Sequence, residues 1–495
     1  MPSDTHHILD PSVSSTTETV VERREVSIDD DTSHPLKSQT LPPVIPSTHQ
    51  HRNLIVCFDG TGDQFDADNS NVVQFVSLLK KDDRNRQLVY YQTGIGTNTG
   101  ANTTVSPWRS QLRKIMDTMF AHSIDAHIMG GYKFLMQNYL PELTFHPGFS
   151  RGAYTARCLA GMLHKVGLLP TSNTEQVPFA YTMYVRTDGV GWDQANEFKR
   201  AFSIDVDVEF LGVWDTVASI GFKPEGLPFA TSKKFIRTYR HAVSLDERRA
   251  KFQPNLWNEP TRDEANLGLH EDDESGKPNT DTEEVWFAGC HCDVGGGSVN
   301  NRTRHSLARI PLRWMVREIF KAETGILFLT DRLYEIGLDP STIYPVVLKR
   351  RDPHPVGENK ICERPRSEKP IRPSMYRPWK KVDIKHVHPP HETGPAAMMA
   401  SEEHEELKDA LSPIYDQMSI NKWWWLFEYM PLPIRRQWRG LEWKTYLWFN
   451  RGKERFVKWT EKGLKVHRSV KIRMEAESGK YKPQVKFVGE PEWVE

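Results

Sequence analysis

The sequence predicts an α/β fold: a mostly parallel sheet with helices on both faces, a long Pro-rich insertion and a Trp-rich C-terminal region. Three observations lead there. Short apolar runs without polar alternation, at Leu54–Phe58, Leu88–Tyr91, Val208–Val213 and Val285–Cys290, read as strands buried on both faces. Segments with apolar residues at helical spacing alternate with them. Polar turns follow the strands' carboxyl ends, where such sheets place their sites.

The elements follow in order. Residues 1–51 are rich in Ser, Thr, Pro, Asp and His, and read as a disordered N-terminal tail. A core is expected over residues 52–345, opening abruptly at "NLIVCFDGTG". Ile124, Ile128, Tyr132, Leu135, Met136 and Tyr139 mark one face of an amphipathic helix. Tyr154, Cys158, Leu159, Met162, Leu163 and Val166 mark another, with Gly167 as its stop. Ile310–Phe320 is helical again. Residues 346–410 form the Pro-rich insertion. Its His386, His388 and His391 read as part of a solvated loop rather than a metal site. Residues 411–495 are aromatic and are expected to pack on the core. Trp423–Trp425 with Arg435 and Arg436 also suit a peripheral membrane contact.

Composition narrows the function. The 495 residues carry 65 Lys and Arg against 65 Asp and Glu. Zero net charge argues against a general polyanion binder, so no nucleic-acid partner is expected. Five cysteines (Cys57, Cys158, Cys290, Cys292, Cys362) in mostly apolar contexts suit reduced thiols in a cytoplasmic protein. The N-terminus has no signal-peptide pattern. No apolar run reaches the roughly 18 residues needed to span a bilayer. Cys290-His291-Cys292 lacks a second pair at finger spacing, so no metal or other cofactor is expected.

The chemistry centres on Gly148-Phe149-Ser150-Arg151-Gly152, the G-x-S-x-G of a nucleophile elbow. A serine hydroxyl needs a general base, and the base an orienting acid. In chain order Ser, acid, His, the candidates are Asp215 after "VEFLGVW" and His291 after "VWFAGC". Asp293 is a rival acid, but residues so near on a turn rarely aim both side chains at one point. Val294-Gly295-Gly296-Gly297 lets the backbone pass close to the site. For the oxyanion, the candidates are the Arg151 N–H and the turn at Gly60 and Thr61, fixed by Asp59. One feature opposes the elbow. Leu140–Pro147 should be its strand, yet it holds Pro141, Glu142, His146 and Pro147, and a proline in a central strand removes a ladder hydrogen bond.

Six blocks occur in order: "LIVCFDGTG", "YYQTGIGT", "GFSRGAYTARCLAGML", "FLGVWDTVASIG", "HAVSLDERRAKFQP" and "VWFAGCHCDVGGGS". Together they resemble the uncharacterised α/β-hydrolase family widespread in fungi, which includes the bacterial phospholipase effectors of type VI secretion. "VHRSVKIRM" and "YKP" resemble the family's final segment. The resemblance implies an α/β-hydrolase-like fold and a triad with Ser150 as nucleophile. Asp215 stands at the W-D-T acid and His291 at the H-x-D-V-G-G-G histidine; His467 is a second candidate base. The expected function is a serine hydrolase that cleaves carboxylic esters, phospholipids among them, through an acyl-enzyme. The alternative is an inactive binding protein that keeps the fold. "CFDGTG" also resembles the D-x-D-G-T motif of haloacid-dehalogenase-like phosphatases. There Cys57 stands at the attacking Asp, and a thiol cannot form the aspartyl phosphate.

Overall fold

The computed structural model describes residues 41–48, 51–61, 63, 65–94, 124–140, 143–217, 236–257, 280–364, 401–437, 443–457, 463–487 and 489–495. Most of the expected tail, Pro141, Glu142 and the three histidines of the insertion lie outside the described residues.

The chain begins its ordered path earlier than composition suggests. β1 (Val44–Ile45) pairs antiparallel with a later strand, Phe328–Leu329, and Ile45 is fully buried. The main sheet starts with β2 (Asn53–Phe58), β3 (Gln87–Gln92), β4 (Leu143–Phe145), β5 (Gly148–Phe149), β6 (Val208–Trp214), β7 (Ile236–Ser244) and β8 (Asp281–Phe287). After β9 (Phe328–Leu329) a separate hairpin forms from β10 (Leu432–Gln437) and β11 (Trp443–Trp448). β12 (Lys465–His467) and β13 (Glu492–Val494) return to the main sheet. Its order is β13-β12-β8-β7-β6-β4-β2-β3, with β5 between β2 and β6. Every pairing described in it is parallel.

Burial on both faces explains the unalternating strands. In β2, Leu54, Val56 and Phe58 enter one core with α2 (Ile124–Asn138), α3 (Ser150–Val166), α4 (Val177–Val185) and α5 (Gly189–Phe202). Ile55 and Cys57 point the other way, into a core with α1 (Asn71–Leu78) and α7 (Arg309–Lys321). In α2, Ile124, Ile128, Tyr132, Leu135 and Met136 are all buried, as their spacing requires. α3 buries nearly its whole length and stops at Gly167, φ 67°.

The strand before the elbow is interrupted but not lost. β4 and β5 are separated by His146 and Pro147. Their register against β6 slips between Thr144 and Phe145, as in a bulge. The His146 N–H donates to Phe210 O (3.0 Å), and Pro147 O accepts from the Phe58 N–H (3.1 Å). Pro147, which has no N–H to donate, thus falls in the gap between β4 and β5, and Phe149 still pairs with Trp214.

The insertion is not irregular throughout. α8 (Glu402–Ala410) is capped by the Ser401 hydroxyl, which accepts from the His404 N–H. Its carboxylates are buried against arginines: Glu402 with Arg317 (2.8 Å), Glu406 with Arg350 (2.7 Å) and Arg468 (2.8 Å), and Asp409 with Arg313 (2.7 Å). The charges that read as part of an irregular insertion are, in α8, buried and ion-paired.

Candidate active site

Four carboxyl ends converge at one edge of the sheet. β2 delivers Asp59 and Gly60, β5 Ser150, β6 Asp215, and β8 leads through a short turn to His291 at the start of α6 (His291–Gly295). The chain runs from β2 outward to β3, then returns past β2 to β4 and β5 and onward. The elbow thus lies at the point where the winding reverses, where open α/β sheets bind ligands.

Ser150 Oγ lies 2.8 Å from His291 Nε2, and His291 Nδ1 lies 2.6 Å from Asp215 Oδ2. Five described residues other than glycine have positive φ, and two of them are Ser150 (58°) and Asp215 (38°). Such backbone costs about 1–3 kcal/mol and persists where the surroundings enforce it. At Ser150 the enforcement is visible. A side chain on Gly152 would stand 2.4 Å from Phe58 O and 2.3 Å from Asp59 O, so α3 seats directly on the end of β2.

The His291 ring packs against those of Phe149 (4.7 Å) and Phe252 (4.8 Å). Burial lowers its basicity, and the bond to Asp215 opposes that shift. Burial alone would raise the Asp215 carboxyl, but the Arg455 guanidinium and His291 outweigh it and hold it well below the usual range. Arg455 grips Asp215 with both ends of its fork, Nη1 to Oδ1 (2.6 Å) and Nη2 to Oδ2 (2.9 Å). Nothing in the local sequence marks Arg455, which is 240 residues from Asp215.

The block "HAVSLDERRAKFQP" supports the base. The Ser244 N–H donates to Asp215 Oδ1 (2.8 Å). Asp246 accepts from the Gly289 N–H (2.7 Å), and Glu247 from the His291 N–H (3.3 Å) while paired with Arg249 (2.7 Å). Asp246 and Glu247 thus tether the turn that carries His291.

The rival residues go elsewhere. Asp293 Oδ2 accepts from the Cys290 (2.9 Å) and Tyr415 (3.0 Å) N–H groups and caps α6; burial pushes its carboxyl up to about 6. His467 bonds Ser469 through Nδ1 (2.8 Å) and stacks on Phe287 (4.9 Å). Neither side chain is brought to Ser150 by any of these contacts. Asp59 accepts from Ser70 Oγ (2.6 Å), Tyr91 OH (2.6 Å) and the Gly60 N–H (2.8 Å). The Gly60 N–H, expected as an oxyanion donor, is therefore engaged by Asp59. Arg151 Nε donates to Thr61 Oγ1, tying the elbow to that turn. Among the described residues no group of three or more His, Cys, Asp or Glu is arranged to hold a metal ion. No helix among them is long and apolar enough to cross a membrane.

A serine on a strained strand-to-helix turn, at the carboxyl edge of a parallel sheet and in line with a histidine and an aspartate, has the geometry of an α/β-hydrolase-type domain. The chain belongs to the family of Tle1-like phospholipase effectors of type VI secretion: residues 52–318 match the model described as "T6SS, Phospholipase effector Tle1-like, catalytic domain". A relative from Saccharomyces cerevisiae, the uncharacterized protein YEL023C, is 38% identical over 227 residues, covering 42% of this chain and 33% of that protein. The chain thus spans about a third of the yeast relative's length. Among solved structures, an uncharacterized protein from Pseudomonas aeruginosa is similar over 56% of this chain and 46% of its own, at 18% identity and TM-score 0.33. The Tle1 effector bound to the VgrG spike is similar over 50% and 51%, at 18% identity and TM-score 0.28.

Proposed function

We propose that this chain is a serine hydrolase that cleaves acyl esters of phospholipids through a covalent acyl-enzyme. The observation that carries the reading is the hydrogen-bonded line Ser150–His291–Asp215, built from the ends of separate parallel strands. His291 Nε2 takes the Ser150 proton as Oγ attacks the ester carbonyl carbon. The Arg151 N–H and the turn at Thr61 hold the oxyanion. His291 then gives its proton to the departing alcohol oxygen, leaving the acyl group on Ser150. Water, deprotonated by His291, releases the carboxylic acid. Asp215 stays ionised throughout and stabilises the imidazolium. The family's phospholipase description supports a lipid ester as substrate.

An exposed apolar surface suits a substrate held in a lipid layer. α9 (Trp424–Glu428), its flank and β11 leave Trp423, Leu426, Tyr429, Leu447 and Trp448 exposed. Trp424 contacts Phe252 (5.5 Å), which contacts His291 (4.8 Å), so this surface begins two rings from the base. The Arg435 and Arg436 side chains lie outside the described residues.

The test is fluorophosphonate labelling together with fatty-acid release from phosphatidylcholine vesicles. The reading expects both from the wild-type chain and neither from Ser150→Ala. Equal labelling of the two proteins overturns it.

A further inference from the structure

We propose that Arg455 is a positioning residue for this reaction: it locks the Asp215 carboxylate in the orientation that aims His291 at Ser150, and its charge balances that of Asp215. The inference rests on the hydrolase reading above.

The acceptor capacity of Asp215 is filled. Oδ1 accepts from the Ser244 N–H and Arg455 Nη1, and Oδ2 from His291 and Arg455 Nη2. The carboxylate therefore has no second orientation of comparable bonding. Arg455 is equally fixed. It is fully buried, and its remaining donors reach Ser244 Oγ (2.6 Å) and Phe252 O (3.0 Å from Nε).

The loop that carries Arg455 is strapped to the site. The buried Glu428 carboxylate accepts from the Ala250 N–H (2.6 Å), the Gly452 N–H (2.9 Å) and Asn450 Nδ2 (2.8 Å). Asn450 Nδ2 also donates to Arg248 O (2.8 Å). Residues 450–455 are thus joined to 248–252, the segment whose Phe252 ring packs on His291. Glu428, Asn450, Gly452 and Arg455 all lie beyond residue 318, where the family match ends. The acid of the triad is completed by a part of the chain outside the matched catalytic segment.

The charge has a separate consequence. Without the guanidinium, the full negative field of Asp215 acts on His291 and favours the imidazolium, which cannot take the serine proton. Among the described residues, Glu247 and Arg249 from the β7 turn also act on His291, with Cys290 before it as the N-cap of α6 and Cys292 and Asp293 beside it on α6. The Arg455 charge also acts on Glu247, so Arg455→Lys, which keeps that charge, is the comparison that isolates the fork.

The experiment measures the second-order rate constant for fluorophosphonate labelling of the full chain from about pH 5 to 9, for wild type, Arg455→Met and Arg455→Lys. A rate constant does not depend on how much of a preparation is folded. Arg455→Met is expected to label about tenfold slower near pH 7, with its acid limb moved up by about one pH unit. Arg455→Lys keeps the charge but not the fork, so its limb stays at the wild-type position while its rate stays low. An Arg455→Met limb coincident with wild type overturns the proposal, as does Arg455→Lys labelling at the wild-type rate. The second result decides the matter even where Arg455→Met fails to fold. Wild-type chain that does not label at all removes the hydrolase reading and this one with it; labelled wild type with unshifted variants removes this one alone.

Discussion

Phe149 and Gly295 meet so closely that a methyl group on Gly295 would stand 1.8 Å from the Phe149 ring. Phe149 is the residue before the candidate nucleophile, and its ring also lies 4.7 Å from that of His291. Gly295 ends the short helix that His291 begins. The contact therefore couples the strand of Ser150 to the helix of its base. Gly295→Ala must push the ring or the helix aside. Overpacking of this kind costs about 1–3 kcal/mol, and a shift of about 1 Å between reacting groups costs about a hundredfold in rate. Thermal melting is expected to fall modestly and the labelling rate steeply. A wild-type labelling rate in Gly295→Ala removes the argued coupling.

His146 is the cost of the interrupted strand. It is fully buried, and neither ring nitrogen has a hydrogen-bond partner among the described residues. Burial pushes its pKa down from 6.5 to about 3. The unfolded chain thus takes up a proton below about pH 6.5, while the folded chain resists until about pH 3. Across that window the unfolded state binds more protons, so stability falls as pH falls. His146→Val removes the unpaired group and suits a buried parallel strand. It is expected to stabilise the protein by about 1–2 kcal/mol at neutral pH and to flatten the loss between pH 6.5 and 3. Chemical denaturation at several pH values checks both. An unchanged or lower stability at every pH counts against it.

What could be read from the sequence was local. The apolar run of β2, the helical spacing in α2 and the five residues of the elbow each lie in one contiguous stretch, so spacing alone reveals them. Ser150, Asp215 and His291 were legible because each follows a strand or its turn, and the blocks around them resemble a known family. Arg455 was not, because its meaning is a contact 240 residues away. Nor was α8, read as part of an irregular insertion because its acidic residues are explained only by the arginines of α7, Arg350 and Arg468 packed beside them. That Asp59 fixes the turn was legible, but that it does so through the Gly60 N–H, the expected oxyanion donor, depends on a side-chain rotamer that no pattern encodes.

The exposed rim makes its own prediction. Trp423 and Leu447 are each 74% exposed, and Lys422, Arg451 and Lys453 are exposed cations in the same segments. Aromatic and cationic residues together favour an anionic lipid surface. Each large apolar side chain buried on docking contributes about 1.5–3 kcal/mol. Replacing Trp423 and Leu447 by Ser is expected to weaken co-sedimentation with anionic vesicles by at least about tenfold. Labelling of Ser150 in solution should not change, since neither residue touches the triad. Unaltered co-sedimentation removes the lipid-docking role.

Asp215 and His291 are members of one hydrogen-bonded line, yet their loss should not look alike. His291→Ala takes away the base and leaves the Asp215–Arg455 pair intact. Asp215→Asn keeps the shape but leaves the Arg455 guanidinium buried without its carboxylate, and breaking such a pair costs about 3–5 kcal/mol. It also leaves His291 without the acceptor that fixes its tautomer, a loss worth about ten-thousandfold in comparable triads. Both variants are expected to lose nearly all ester hydrolysis. Only Asp215→Asn should lose stability on that scale, and adding Arg455→Met to it should restore part of the loss, since no unpaired charge then remains. Denaturant unfolding of the three proteins checks this. Equal stabilities for His291→Ala and Asp215→Asn show that the guanidinium does not depend on Asp215 for its burial.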